Sequence, residues 1–268
     1  MQKFTAMNCV VTGGAAGIGL AIARALAAEG ANVVVADLHS DAAEAVAAEL
    51  RERGVRSVGV GVDVSKLEDM QRLAARARTE FGDIHVLVNN AGIDGYRGGA
   101  IWQADDADWA WSMGVNFNGV VNGLRAFVDD MIAHGQPGHI VNTGSESGIS
   151  RATSMYMLTK HAVVALTEVL ESQLSARGAN IGVSVLCPGA VATEFFESKH
   201  RPATLESDAS GGKADRERLQ QHIDASGISP DAVAQTLLDG IRANRLYVLT
   251  SNVSTDDVRK RAEAIVGS

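Results

Sequence analysis

Short apolar runs alternate with amphipathic segments along most of this chain. The runs predict strands at 8–12, 32–36, 57–62, 84–88, 139–143, 182–186 and 246–250. The segments between them predict helices from the glycine-rich turn to about 29, near 41–53, 67–81, 116–134, 155–177 and 230–243, and from about 255 onwards. Strands and helices that alternate this regularly form a parallel, doubly wound sheet. The pattern therefore predicts an α/β fold in which seven parallel strands have helices on both faces.

The alternation fails between residue 194 and about residue 226. This stretch is polar and contains Gly211-Gly212, so it predicts a mobile segment or short helices and not a core element. We expect it to close over a bound substrate and to exclude water. A length of 268 residues, with 46% hydrophobic positions and 28 glycines, suits one domain that spans 1–268.

The composition argues against several kinds of partner and ligand. A formal net charge of −8 without a long Lys/Arg run disfavours nucleic acid and anionic membranes. No apolar run is long enough to span a bilayer, so the sequence predicts a cytoplasmic protein. Cys9 and Cys187 lie in strand-like apolar runs, which indicates reduced core residues. None of the seven histidines has a partner at metal-ligand spacing, so no metal site is predicted.

A hydroxyl, a phenol and an ammonium group fall within one short span, at Ser145, Tyr156 and Lys160. Tyr156 and Lys160 are four residues apart in a helix-compatible run, so both side chains lie on one helix face. A free phenol has a pKa of about 10, and a catalytic tyrosine therefore needs a positive charge beside it. Lowering that pKa by roughly three units requires about 4 kcal/mol, which a buried cation and a cofactor charge can supply. The span predicts proton-transfer chemistry, although a tyrosine and a lysine four apart also occur by chance on many helices.

The first strand leads into a glycine-rich turn at Thr12–Gly19, which opens a helix. Backbone N–H groups and the helix dipole at such a turn can hold a dinucleotide pyrophosphate. The spacing departs from the G-x-G-x-x-G fingerprint, and a glycine-rich turn by itself is also compatible with a plain tight turn. Asp37 ends the second strand, where its carboxylate can accept hydrogen bonds from both adenosine ribose hydroxyls and would repel a 2′-phosphate. Because no Lys or Arg occupies 14–16 or 38, NAD is favoured over NADP.

Together these residues resemble the short-chain dehydrogenase/reductase family in its simple single-domain form. The motifs that carry the resemblance are Thr12–Gly19, Asp63-Val64, Asn89-Asn90-Ala91-Gly92, Asn116, Ser145, Tyr156-x-x-x-Lys160 and Pro188-Gly189-x-Val191-x-Thr193. They occur in order and cover essentially the whole chain. The resemblance implies a Rossmann-type domain and an NAD-dependent oxidoreductase that interconverts a secondary alcohol and its ketone by direct hydride transfer.

The resemblance also implies catalytic roles. Tyr156 would be the general acid/base, and Ser145 would hydrogen-bond the substrate oxygen. Lys160 would hold the nicotinamide ribose and lower the pKa of the phenol, while Asn116 would anchor a water that links Lys160 to solvent. The interval of eleven residues from Ser145 to Tyr156 is a little short for the family, and Ser147 is a rival for the serine role. Ser145 is favoured because the stretch from Ile140 to Ser145 matches the family's strand-end pattern.

The resemblance further implies how the cofactor would be held. Asp63 and Val64 would meet the adenine, Ala91 and Gly92 would leave room beside Asn90, and the segment 188–193 would receive the carboxamide. The residues expected to bind the cofactor are Gly13, Ala15, Gly17, Ile18, Gly19, Asp37, Asp63, Val64, Asn90, Ala91, Gly92, Tyr156, Lys160, Pro188, Gly189, Val191 and Thr193. Asn89 is expected to be a structural residue at a strand end.

Several alternatives stay open. The segments 114–123, 137–141 and 245–249 look similar to family members that oxidise the benzylic alcohol of lignin-derived aryl ethers, which makes an aromatic or bulky secondary alcohol one candidate substrate class. The chain is also compatible with an NADPH-linked carbonyl reductase, or with a non-catalytic dinucleotide-binding regulator. The resemblance implies a homodimer or homotetramer and does not decide between them.

Overall fold

The computed structural model describes residues 3–96, 99–195, 217, 218, 220, 221, 223, 225, 227–250 and 254–267. Most of the segment predicted to cover the substrate therefore lies outside the described residues. Seven parallel strands form one sheet in the order β3-β2-β1-β4-β5-β6-β7. They are β1 Asn8–Thr12, β2 Asn32–Asp37, β3 Ser57–Gly61, β4 Val86–Asn89, β5 Gly138–Thr143, β6 Ile181–Cys187 and β7 Tyr247–Leu249. The predicted Rossmann-type fold is confirmed.

Helices cover both faces of this sheet. They are α1 Gly17–Ala28, α2 Ser40–Glu52, α3 Leu67–Phe81, α4 Asp106–Met113, α5 Gly119–His134, α6 Met155–Ala176, α7 Pro230–Arg242 and α8 Ser254–Val266. The apolar residues of α1, α2 and α7 form one buried cluster, and those of α3, α5 and α6 form a second. The middle positions of strands that are buried on both faces favour apolar side chains, which explains the uninterrupted apolar runs 9–11 of β1 and 33–36 of β2.

The alternating side chains of β1 show how the sheet divides the two clusters. Val11 belongs to the cluster under α1, α2 and α7, whereas its neighbour Val10 belongs to the cluster on the opposite face. The same division separates Val35 from Val34 in β2. A shift of one residue in strand register would exchange these sets, so the packing fixes the register. It also fixes which residues reach the carboxyl edge of the sheet.

The region before α5 adds detail to its prediction. The sequence predicts a helix that includes 116–134, and the structure has α4, a π-helical turn at Gly114–Asn118 and α5 in unbroken succession. Asp105 begins α4 because its carboxylate accepts the backbone N–H of Asp108 at 2.8 Å. Single π-helical turns within helices are frequent at functional sites.

The strand order reverses between β1 and β4, the position at which doubly wound sheets bind ligands beyond the carboxyl ends of their strands. The glycine turn after β1, the loop after β4, the turn after β5 and the segment after β6 all leave this edge. Across the described ranges, no helix is both long and apolar enough to cross a membrane.

Candidate active site

Ser145 lies two residues beyond β5, at the start of a 3-10 turn over Glu146–Gly148. Its side chain is buried, and its Oγ accepts the backbone N–H of Ser147 at 3.1 Å. This bond uses one lone pair of the hydroxyl and leaves its proton available for donation to a substrate oxygen. The turn also packs against α6, since a Cβ on Gly148 would lie 2.7 Å from the carbonyl oxygen of Lys160. The structure therefore gives Ser145 a buried hydroxyl and Ser147 a supporting backbone contact.

Tyr156 lies in the first turn of α6, which begins with Ser154 as its N-cap. The hydroxyl of Ser154 accepts the backbone N–H of Met157 at 3.3 Å, so the cap fixes the helix start directly beside the phenol. The Tyr156 ring centroid is 5.7 Å from the Nζ of Lys160 and 5.7 Å from the Phe195 ring centroid, in an edge-on arrangement. The predicted pairing of phenol and ammonium is present one helical turn apart.

Lys160 is almost completely buried, at 3% exposure. Its Nζ donates a hydrogen bond of 2.8 Å to the carbonyl oxygen of Thr143, the last residue of β5. Burial lowers the pKa of the Lys160 ammonium from 10.5 to about 8, because the charged form loses hydration. The side chain thus remains mostly protonated at neutral pH, although it can release its proton more readily than an exposed lysine.

Asn116 is fully buried in the π-helical turn. Its Oδ1 accepts the backbone N–H of Ile93 at 2.8 Å, and its Nδ2 donates to the Ile93 carbonyl at 2.9 Å and to the Thr159 hydroxyl at 3.1 Å. Both amide hydrogens are therefore used within the protein. The side chain fastens the loop after β4 to α6, and the predicted anchoring of a water stays a prediction.

Gly92 brings the loop after β4 against both of these polar residues. A Cβ at position 92 would lie 3.3 Å from the Oδ1 of Asn116 and 3.3 Å from the Nζ of Lys160. Three segments that are distant in sequence therefore meet at one point. A larger residue at 92 would crowd the buried ammonium group.

Four hydrogen bonds join the glycine turn to the residues that follow β4. The Thr12 hydroxyl accepts the backbone N–H groups of Asn90 at 2.9 Å and Ala91 at 3.2 Å. The Asn90 amide donates in return to the carbonyls of Thr12 at 3.0 Å and Gly13 at 3.3 Å. A Cβ at Gly19 would lie only 2.0 Å from the Gly13 carbonyl oxygen, so this close approach requires glycine.

Asp37 reaches the glycine turn from the end of β2. Its two carboxylate oxygens accept the backbone N–H groups of Ala15 at 3.1 Å and His39 at 3.2 Å. The Ala15 N–H is thus occupied by Asp37 in this structure, whereas the sequence analysis expects it among the cofactor contacts. The carboxylate lies beside the turn, and its contact with an adenosine ribose stays a prediction.

Asp63 and Val64 follow β3 on the same edge. The Asp63 carboxylate accepts both the hydroxyl of Ser65, at 2.6 Å, and its backbone N–H, at 3.1 Å, and lies 3.2 Å from the Lys66 ammonium. Burial raises the pKa of Asp63, but these hydrogen bonds outweigh it and leave the pKa below the usual value. Val64 is buried, and its carbonyl accepts the Asn122 amide at 3.0 Å.

The segment after β6 contacts both halves of the site. The Pro188 carbonyl accepts the backbone N–H of Glu146 at 3.0 Å, next to the serine turn. At its other end, the methyl carbon of Thr193 lies 3.3 Å from the position of a Cβ on Gly17, in the glycine turn. Val191, between them, is buried and forms a bridge with Ile228. This segment therefore connects the proposed catalytic residues with the proposed phosphate loop.

A family model described as short chain dehydrogenase matches residues 7–203. The chain belongs to the short-chain dehydrogenase family. It is an oxidoreductase that acts on CH–OH groups, and the cofactor of this family is a nicotinamide dinucleotide. The resemblance inferred from the motifs is thereby confirmed.

Relatives of this short-chain dehydrogenase agree in fold and in class. The C alpha-dehydrogenase of a Sphingobium species is 33% identical and covers 100% of this chain and 88% of its own. A 1-deoxy-11-beta-hydroxypentalenate dehydrogenase from Streptomyces exfoliatus is 34% identical over 91% of this chain and 82% of its own. The crystal structure of a short chain dehydrogenase/reductase from Burkholderia phymatum in complex with NAD is 36% identical, with a TM-score of 0.94 over 99% of this chain and 96% of its own.

Two contacts of this short-chain dehydrogenase were not expected from its sequence. The carbonyl of Thr143 holds Lys160, and the hydroxyl of Thr159 holds Asn116. A backbone carbonyl leaves no trace in the residue type, so nothing in the sequence indicates the first contact. Thr12 carries a detectable signal, since a threonine between an apolar strand and a glycine turn can bond the neighbouring strand end. Asn89, expected to be structural, is buried and donates to the Asn142 side chain at 2.9 Å.

Proposed function

We propose that this chain is an NAD-dependent dehydrogenase that interconverts a secondary alcohol and its ketone. The observation that carries the proposal is the burial of the Lys160 ammonium beside Tyr156, at the same sheet edge as Ser145 and the glycine turn. A buried cation is unfavourable unless something requires it. A phenol that must exchange a proton at neutral pH is such a requirement.

Each proposed catalytic residue has one task in this reaction. Ser145 donates a hydrogen bond to the substrate oxygen and orients the carbinol. Tyr156 removes the hydroxyl proton during oxidation and returns it during reduction, and the Lys160 charge favours the phenolate. A bound nicotinamide supplies the hydride acceptor or donor, while the protein fixes geometry and electrostatics. Asn116 is proposed to support the exchange of the proton with solvent through a water, in addition to holding the loop after β4.

The residues present fit a dinucleotide. Gly13, with a φ of 62°, and Gly19 keep the turn after β1 free of side chains where α1 begins. The first N–H groups of a helix are suited to a pyrophosphate. We assign the ribose to Asp37, the adenine to Asp63 and Val64, and the nicotinamide carboxamide to the segment 188–193. A Cβ on Gly13 would lie only 2.9 Å from the Cα of Ala91. The turn is therefore closely packed and has little room to adopt another shape.

The preference for NAD over NADP rests on Asp37 and on the lack of a basic residue at 38. A carboxylate accepts hydrogen bonds from ribose hydroxyls but repels a 2′-phosphate. The Burkholderia relative in complex with NAD supports the same choice. The Sphingobium and Streptomyces relatives are both named dehydrogenases. The name of the Streptomyces enzyme describes its substrate as a hydroxypentalenate, which carries a hydroxyl group. An aromatic or bulky secondary alcohol is accordingly the first substrate class to test.

We also propose that the chain associates with copies of itself as a dimer or a tetramer. The family resemblance implies such association, and α6 leaves the apolar side chains of Leu158 and Val169 36% and 51% exposed, so this helix is the candidate contact surface. Light scattering coupled to gel filtration gives the number of copies. A purely monomeric profile at micromolar concentration would exclude the proposal.

The function is tested by a screen of secondary alcohols with NAD⁺ and NADP⁺, in which reduced cofactor is detected by absorbance. We expect reduction of NAD⁺ with at least one aromatic or bulky alcohol, at a rate that rises with pH because oxidation releases a proton. Tyr156→Phe should abolish it, whereas Tyr247→Phe, on the edge strand β7, should not. Faster reduction of NADP⁺ would favour the NADPH-linked alternative, and binding of NADH without any turnover would favour a regulator.

A further inference from the structure

Glu146 directly follows Ser145 and begins the 3-10 turn. Its backbone N–H donates to the Pro188 carbonyl at 3.0 Å, which ties the serine turn to the segment assigned to the nicotinamide carboxamide. The residue is half-buried. Its main chain therefore lies between the group proposed to bind the substrate oxygen and the segment proposed to bind the reacting end of the cofactor.

The side chain of Glu146 also extends towards the segment 188–193. Its two carboxylate oxygens lie 2.8 Å and 3.0 Å from the position that a Cβ on Gly189 would occupy. The carboxylate thus packs directly on the Gly189 backbone, which a side chain at 189 would prevent. Gly189 is held from elsewhere, because its N–H donates to the Thr250 hydroxyl at 3.1 Å. The carboxylate consequently lies against the segment assigned to the nicotinamide carboxamide, on the residue that follows Ser145.

A carboxylate at this place affects the choice of substrate. It can only accept hydrogen bonds, so it favours ligand groups that donate them or carry positive charge, and it repels anions. Because the side chain is half-buried, solvent and salt screen its charge less than they screen an exposed one. The reaction itself does not require a carboxylate here, since Ser145, Tyr156 and Lys160 account for the proton transfer.

We infer that Glu146 determines specificity by selecting alcohols with a hydrogen-bond donor or positive charge next to the carbinol carbon, and by rejecting alcohols with a carboxylate there. The inference rests on the proposed oxidation of secondary alcohols. Four benzylic alcohols of similar size differ only in this neighbouring group. They are the ethyl compound phenylpropanol, the hydroxymethyl compound styrene glycol, the aminomethyl compound phenylethanolamine and the carboxylate mandelate.

The test compares kcat/KM for these four alcohols in wild type, Glu146→Gln and the control Glu52→Gln, which removes an exposed charge at the end of α2. In Glu146→Gln the rate with mandelate relative to styrene glycol should rise about ten-fold, and that with phenylethanolamine should fall by a similar factor. Glu52→Gln should match wild type. Glutamine keeps the size of the side chain, so its effect reports the charge.

A binding measurement separates this inference from the proposed function. The quenching of NADH fluorescence gives the affinity of each protein for phenylglyoxylate and for hydroxyacetophenone, the oxidised forms of mandelate and styrene glycol. A shift in the affinity ratio without turnover would support the role of Glu146 while the proposed function fails. Ratios that agree within two-fold between wild type and Glu146→Gln, in binding and in turnover, would overturn the role of Glu146.

Discussion

The strand β5 has a buried base near each of its ends, and the two are held in different ways. At the amino end, His139 is 1% exposed, and its Nε2 lies 2.8 Å from the Ser184 hydroxyl, which donates to the Arg245 carbonyl at 2.6 Å. Since the serine proton goes to Arg245, the Nε2 of His139 must be the donor in the first contact. At the carboxyl end, the ammonium of Lys160 donates to Thr143. His139 is thus a neutral hydrogen-bond donor, and Lys160 is a charged one.

The pKa values show what each arrangement favours. Burial, with the N-terminal charge as a smaller cause, lowers the pKa of His139 from 6.5 to about 3, so the ring is neutral throughout the physiological range. Burial lowers the pKa of Lys160 only to about 8, so the charge persists at pH 7 at a cost of about 3 kcal/mol of stability. The amino end of the sheet is organised for packing. The carboxyl end retains an unfavourable charge, which makes it a candidate functional site.

The largest expected difference between the two ends is in activity. Lys160→Met should lower kcat/KM by roughly 10²–10⁴-fold, because the phenol loses its neighbouring charge. The free energy of unfolding at pH 7 should not fall, since removal of the buried charge offsets the loss of the bond to Thr143. Steady-state kinetics and urea unfolding measure the two effects. Lys260→Met, at an exposed lysine of α8, is the control, and a loss of stability above about 2 kcal/mol in Lys160→Met would contradict the account.

The two serines of the turn sharpen the comparison within the carboxyl end. Ser145→Ala should reduce kcat on the order of 10²-fold, because the substrate oxygen loses its hydrogen-bond donor. Ser147→Ala should keep most of the activity, since Ser147 contributes its backbone N–H. Kinetics with one secondary alcohol and NAD⁺ compare the two variants. The opposite ranking would transfer the substrate contact to Ser147.

His139 should govern stability in acid without affecting the chemistry. Its pKa is lower in the folded chain than in the unfolded one, so its contribution is complete above pH 6.5 and is lost as the pH falls towards 3. Between pH 7.5 and pH 5 the loss should be about 2 kcal/mol. Urea unfolding at both pH values measures it, and His139→Gln should remove this part of the pH dependence. An unchanged pH dependence in that variant would show that the loss comes from other groups.

The smallest expected effect concerns the cofactor at the same carboxyl edge. Asp37→Ala should raise the kcat/KM ratio of NADP⁺ to NAD⁺ by about ten-fold, because the 2′-phosphate no longer meets a carboxylate. Asp41→Ala, at an exposed aspartate in the first turn of α2, should leave the ratio unchanged. If both variants behave alike, Asp37 does not contact the ribose.

The sequence predicts the elements of this fold well where a strict periodicity exists. The valine runs of β1 and β2 and the helix pattern of 67–81 occur in the structure nearly as predicted, because burial on defined faces dictates both. The prediction is incomplete between 101 and 118, where α4 and the π-helical turn depend on the Asp105 cap and the Asn116 contacts with Ile93. Such contacts are formed in the fold and leave no period in the sequence.

The candidate site likewise combines residues that the sequence indicates with contacts that form only in the folded chain. Side-chain chemistry and spacing indicate Tyr156 and Lys160 as a candidate pair, whereas the choice of Ser145 over Ser147 depends on the family resemblance. The bonds from Lys160 to the Thr143 carbonyl and from Ala15 to Asp37 involve backbone atoms, which every residue type possesses. The packing of Glu146 on Gly189 depends on how two turns approach each other across the sheet edge.

The pH dependence of kcat/KM for alcohol oxidation, in wild type and in the residual activity of Lys160→Met, tests the central claim most directly. The claim is that the buried ammonium makes the neighbouring phenol a proton acceptor near neutral pH. We expect wild type to show an apparent pKa well below the value of about 10 for a free phenol, and the variant to shift it upwards by at least about one unit. The same apparent pKa in both proteins would contradict the claim.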